Sequence, residues 1–154
     1  MWIVLLIVHG LMAFLLLGAV THQLVAVWAP VRIKAGNFVG RVRAVPSTSY
    51  VNAIVILYLV TALFGGWIYT NYRITARLTL EQGAFWWTFA AFELKEHFVA
   101  LGLAVLPAYW WYWQPTRGEE YASTRAMLTT LIALIVWYSF LVGHLTNNIR
   151  GLGT

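Results

Sequence analysis

Long apolar stretches alternate with shorter polar segments along this chain of 154 residues. The apolar stretches cover about residues 2–28, 50–70, 85–113 and 124–147. Roughly 20 consecutive apolar residues are enough for a helix to cross a bilayer, and each stretch reaches that length. The pattern therefore predicts an all-α integral membrane protein, with a single transmembrane domain over residues 1–154 in which four helices form an up-down bundle.

The composition favours contact with lipid. Hydrophobic residues make up 61% of the chain and charged residues only 10%, whereas an ordinary soluble protein carries about 25% charged residues. The absence of cysteine excludes disulfides, thiolate-bound iron–sulfur clusters, cysteine-attached haem and thiol catalysis. It leaves open haem held by histidine. No phosphate loop, nucleophile elbow or HExxH motif occurs, so no catalytic residue is predicted.

The basic residues predict the orientation, because loops rich in Lys and Arg stay on the cytoplasmic side of a membrane. The first and third loops contain six such residues and the opposite side contains three. The six are Arg32, Lys34, Arg41, Arg43, Arg117 and Arg125, and the three are Arg73, Arg77 and Arg150. We therefore expect a multi-pass protein of the inner (cytoplasmic) membrane with both termini on the outer (periplasmic) side. The chain has no basic run interleaved with aromatic residues, so its sequence does not indicate nucleic acid as a partner.

The third apolar stretch carries four ionisable residues in its outer half, Glu93, Lys95, Glu96 and His97. A charged residue inside a membrane costs roughly 2.5–3.5 kcal/mol on insertion scales, so we expect compensation inside the molecule. At 100° per residue, Glu93, Glu96 and His97 fall within an arc of about 100°, and Lys95 lies about 160° from His97. This spacing predicts that the two glutamates and the histidine line an internal site.

Three of the four histidines, His9, His97 and His144, fall in the same predicted outer half of the membrane. Neutral imidazole is an axial ligand of haem iron, and cores of helix bundles hold cofactors between facing side chains. We therefore predict one haem b, with His97 and His9 as axial ligands to the iron and His144 as the substitute. His22 and Gln23 lie near the inner face.

Four further residues are candidates for proton or quinone contacts: Glu93, Glu96, His22 and Gln23. An intramembrane histidine also commonly makes a hydrogen bond between helices, so a purely structural role stays open for each of the histidines. The Glu-x-x-His spacing of di-iron bundle proteins does not occur on the third stretch, which disfavours a di-metal site.

Four predicted helices in about 150 residues, with histidines in several of them, resemble the small membrane cytochrome b subunits. That class includes the anchors of succinate dehydrogenase and fumarate reductase and the cytochrome b561-like proteins. The resemblance is architectural and covers the whole chain. It implies haem b, quinone as a further ligand, and membrane or peripheral redox subunits as partners. The second stretch has no histidine, unlike the cytochrome b561-like pattern, so no residue is carried over from the class.

The sequence thus predicts a haem b-binding membrane subunit of a respiratory-type complex, which passes electrons to or from quinone or a partner subunit. In that role the chain is at most an electron-transfer subunit of an oxidoreductase. Two alternatives stay open. One is a cofactor-free structural or accessory subunit of a larger complex. The other is transport of protons or a small solute, for which four helices without an internal repeat offer little room.

Overall fold

The computed structural model describes residues 2–30, 37–75, 77–82 and 86–152, and these residues are almost entirely helical. The α-helices are α1 (Trp2–Trp28), α2 (Phe38–Arg43), α3 (Val51–Thr75), α4 (Arg77–Gln82), α5 (Trp86–Tyr112) and α6 (Ala122–Leu152). Short 3₁₀ turns, Ser47–Tyr50 and Glu119–Tyr121, precede α3 and α6. The fold is therefore all-α, as the sequence predicts.

Each predicted apolar stretch corresponds to one long helix. The bounds of α1 agree with the prediction, and α5 is one residue shorter at each end. Helices α3 and α6 run several residues beyond the predicted ends, because the backbone hydrogen bonds continue through polar residues at the ends of the apolar stretches. Helices α2 and α4 lie in segments where we predicted loops. Phe85, Arg32, Lys34 and the side chain of Arg150, on which parts of the sequence prediction rest, lie outside the described residues.

Within the described ranges, three helical segments are long and apolar enough to cross a membrane: Trp2–Trp28, Ser47–Thr75 and Glu119–Ile149. This finding indicates a membrane protein in contact with bilayer lipid. Helix α5 matches α1 in length, with 27 residues each. It is not in the group of three, and it contains Glu93, Lys95 and Glu96 together with several less apolar aromatic residues.

The four long helices share one hydrophobic core. Helix α1 packs against α3 and α6, while α5 packs along α6 and less extensively against α3. The most buried side chains of this core come from all four helices, and they include Val20, Ile54, Tyr109 and Ile132. We call this region, together with buried Gln23, the packed end. It lies towards the C-terminus of α1.

Helices α3 and α5 approach closely at Gly102. The Tyr58 hydroxyl donates to the Val99 carbonyl oxygen at 3.1 Å, and Tyr58 is only 3% exposed. A Cβ atom at position 102 would stand 2.6 Å from Cζ of Tyr58. A larger residue at position 102 would therefore force the tyrosine ring or one of the two helices to shift.

Candidate functional site

A cavity of about 260 Å³ lies between the four long helices and adjoins the packed end. We call it the central cavity. It is lined mostly by apolar side chains, with several polar ones among them: His9, Thr61, Lys95, Glu96, Ser139 and His144. His9 and the Lys95–Glu96 pair belong to the N-terminal halves of α1 and α5, and Ser139 and His144 belong to the C-terminal half of α6. The cavity therefore occupies the end of the molecule where α1 begins.

His9 faces the central cavity from α1, and its ring packs against α3. A Cβ atom at Gly65 would lie 3.2 Å from Cε1 of His9, so the glycine provides the room that the imidazole occupies. Nδ1 of His9 is buried and has no hydrogen-bond partner among the described residues. A buried imidazole nitrogen without a partner is costly unless a ligand satisfies it.

His144 lines the same cavity from α6, although much of its surface is exposed. Its ring lies nearly parallel to that of Phe140, with 6.3 Å between the ring centroids. Each of the two histidines has a glycine next to it in the chain, Gly10 and Gly143, and both glycines line the cavity. A Cβ atom added at either glycine would meet nothing within 4 Å. The cavity thus has two imidazoles on neighbouring helices and open space beside each.

His97 lies elsewhere. It is exposed, it does not line the central cavity, and its Nδ1 is 2.8 Å from the carbonyl oxygen of Glu93 on its own helix. The sequence led us to expect His97 and His9 at one site. The structure does not bring these two residues together. Helix α5 is rotated so that Lys95 and Glu96 face the cavity, and this rotation turns His97 to the exposed side.

The charges on α5 are compensated inside the molecule. Lys95 Nζ forms an ion pair with Glu96 Oε1 at 2.7 Å, and it also lies 3.8 Å from the centroid of the Phe92 ring, a cation–π contact. The Tyr69 hydroxyl donates to Glu93 Oε1 at 3.1 Å. Compensation was expected, but Lys95 was expected to lie on another side of α5. Its long side chain reaches the neighbouring glutamate.

Two hydroxyls add to the polar lining of the cavity. Thr61 Oγ1 on α3 and Ser139 Oγ on α6 are buried and lack a hydrogen-bond partner within the described ranges. With Nδ1 of His9 they provide three available polar atoms from three helices. Neither hydroxyl residue was predicted as a site residue, because hydroxyl side chains recur along both apolar stretches and these two carry no distinguishing signal.

The remaining predicted residues, His22 and Gln23, lie at the packed end and not at the cavity. Gln23 is 0% exposed; it accepts a hydrogen bond from the Tyr109 hydroxyl, and its Nε2 donates to the Ser47 carbonyl oxygen at 3.1 Å. His22 Nε2 is 2.9 Å from the Val42 carbonyl oxygen, and the His22 ring stacks on Tyr50. Both side chains tie α1 to the segment that precedes α3.

Two imidazoles line the central cavity, those of His9 and His144, and each histidine stands beside a glycine where a Cβ atom would meet nothing within 4 Å. Imidazole is one of the axial ligands of haem iron. The volume of about 260 Å³ is slightly below the range of small-molecule sites, roughly 300–1,000 Å³. No group of three or more His, Asp or Glu side chains gathers as a metal-ion site in the described part of the chain.

Comparison with protein families, curated proteins and solved structures finds no match to this chain.

Proposed function

We propose that this protein is a haem b-binding electron-transfer subunit of a respiratory-type membrane complex. His9 and His144 would be the axial ligands. The observation that carries the proposal is that both histidines line one cavity, from two helices that pack together, each beside a glycine that leaves open space. His97 is not part of this site, because its side chain is exposed outside the cavity.

All four long helices cross the membrane in this proposal. Helix α5 has 27 residues, or about 40 Å at 1.5 Å per residue, which is enough to span the bilayer. Lys95 pairs with Glu96, and Glu93 accepts a hydrogen bond from Tyr69, so each charge has a partner in the hydrocarbon region. Four spans place both termini on one side, and the basic loops assign that side to the periplasm of an inner membrane.

The side chains around the cavity have distinct tasks. The imidazoles of His9 and His144 would hold the iron, and a bound haem would supply one-electron chemistry. The Lys95–Glu96 pair places a polar group at the cavity wall, and its positive end can neutralise an anionic group of the ligand. In this proposal a membrane or peripheral partner subunit would supply the substrate chemistry.

A reduced-minus-oxidised visible spectrum of the purified protein tests the proposal. The wild type should show a sharp b-type band, and His9→Ala and His144→Ala should each lose most of it. His97→Ala is the matched control, because it removes an exposed imidazole from the same half of the molecule and should keep the band. A colourless wild type at full yield, or loss of the band only in His97→Ala, would refute the assignment.

A quinone headgroup is the second candidate ligand of the cavity. The three available polar atoms, on His9, Thr61 and Ser139, are the observation that favours it, since a quinone ring offers two carbonyl oxygens to such groups. Titration with a short-chain quinone should quench tryptophan fluorescence, and Ser139→Ala should weaken binding while exposed Ser123→Ala should not. A protein with neither a haem band nor quinone binding would be the cofactor-free accessory subunit.

A further inference from the structure

Helix α2 exposes an apolar surface bordered by arginines. Phe38 is 77% exposed, Val39 is 61% exposed and Val42 is 42% exposed. At 100° per residue these three side chains fall within an arc of about 100°. Arg41 lies about 60° before the arc and Arg43 about 40° after it. Helices with such a distribution lie in the plane of the membrane interface, with the apolar side in the lipid and the basic groups at the headgroups.

The contacts of α2 fix its level relative to α1. The Val42 carbonyl oxygen is 2.9 Å from His22 Nε2, and Arg43 Nη2 donates to the Ala29 carbonyl oxygen at 2.9 Å. Asn37 caps the N-terminus of the helix, since its side-chain oxygen accepts from the Gly40 amide at 2.7 Å. Helix α2 is therefore held beside the last two turns of α1.

Exposed tryptophans mark this level as the membrane surface. Trp28, the last residue of α1, is 65% exposed, and Trp110 and Trp111 in the last turn of α5 are 44% and 39% exposed. Tryptophan is enriched at the boundary between hydrocarbon and headgroups. The apolar surface of α2 thus lies at the end of α1 that Trp28 marks.

The charge of the segment selects the kind of lipid. Residues 29–50 contain Arg32, Lys34, Arg41 and Arg43 and no acidic residue. Of the two arginines on α2, Arg43 is bonded to the Ala29 carbonyl oxygen just after α1, and Arg41 is exposed. We propose that α2 is an interfacial helix that binds anionic phospholipid headgroups through Arg41, with Phe38 and Val39 inserted between the acyl chains. This inference does not depend on the occupant of the central cavity.

The absence of native cysteine allows a clean test in the full-length protein. Val39→Cys is labelled with bimane and reconstituted in phosphatidylcholine vesicles that contain a minor fraction of phosphatidylglycerol. A nitroxide is carried near the glycerol backbone of either the anionic or the zwitterionic lipid, and bimane quenching is measured for each. The control label is attached at Ile3→Cys. Ile3 is 75% exposed and lies at the opposite end of α1.

Quenching at position 39 should be several-fold stronger with nitroxide phosphatidylglycerol than with nitroxide phosphatidylcholine, and position 3 should show no preference. Arg41→Gln should remove most of the preference at position 39, because one arginine at an anionic surface contributes about fivefold. High salt should lower it as well. A label at position 39 that no lipid nitroxide quenches would overturn the interfacial placement. Equal quenching by both lipids, or a preference unchanged in Arg41→Gln, would overturn the headgroup assignment.

Discussion

Replacement of Gly102 by alanine tests the close approach of α3 and α5. The added methyl group would stand 2.6 Å from Cζ of Tyr58 and 3.3 Å from Cε2. The tyrosine is buried, so its ring cannot simply swing out of the way, and the two helices must separate or the ring must change rotamer. Either movement breaks the hydrogen bond from the tyrosine hydroxyl to the Val99 carbonyl oxygen, which measures 3.1 Å.

The expected loss follows from three contributions. Overpacking of a well-packed core costs about 2 kcal/mol. A buried hydroxyl left without its partner costs about 1 kcal/mol more. Alanine recovers about 1 kcal/mol relative to glycine, because it restricts the unfolded chain and favours the helix. The net loss is about 2 kcal/mol, or roughly a thirtyfold change in the ratio of folded to unfolded protein.

Unfolding in detergent micelles, followed by far-ultraviolet circular dichroism, measures this loss. Gly18→Ala is the matched control, because a Cβ atom at Gly18 would meet nothing within 4 Å, and it should be neutral or slightly stabilising. The double variant Gly102→Ala/Tyr58→Phe should lose less stability than the sum of the losses in the two single variants, because the tyrosine hydroxyl is already absent. A Gly102→Ala protein as stable as Gly18→Ala would show that the helices are not in contact there.

Two further predictions concern paired polar groups between the helices. Lys95→Met or Glu96→Gln leaves one charge at the cavity wall without its partner and should cost about 2 kcal/mol, whereas the double variant should recover most of the loss; additive losses in the same unfolding assay would contradict the pairing. Tyr109→Phe leaves the Gln23 carbonyl without its donor and should cost about 1–3 kcal/mol. Tyr121 is partly exposed, so Tyr121→Phe should change the free energy of unfolding little. Equal losses in Tyr109→Phe and Tyr121→Phe would argue against a buried hydrogen bond at Gln23.

The long helices were predictable from the sequence because each is a continuous apolar stretch bounded by polar segments. Helix α1 occupies the predicted residues, and α5 differs by one residue at each end. Helices α2 and α4 were not predictable, because six residues are too few to show a helical period. They are held in place by tertiary contacts, such as that between His22 and Val42.

The candidate site was predictable only in part. Helical spacing correctly separates Lys95 from His97, but it gives relative directions and cannot say which direction faces the interior. Contacts with Phe92 and Glu96 draw Lys95 to the cavity and leave His97 outside. His9 was selected because it is an imidazole within an apolar stretch, and its inward direction depends on the space that Gly65 provides on a different helix. The sequence of neither helix alone shows that one makes room for a side chain of the other.

The pairing of Lys95 with Glu96 also bears on how α5 enters the membrane during synthesis. Each charge alone would oppose insertion of the segment by roughly 2.5–3.5 kcal/mol. The two residues are neighbours in the chain, so they can neutralise each other within a single helix, before α3 or α6 is beside it. On the proposed four-span topology, α5 therefore meets the translocation machinery with only Glu93 unpaired. That glutamate gains its partner, Tyr69, from a helix that is synthesised earlier.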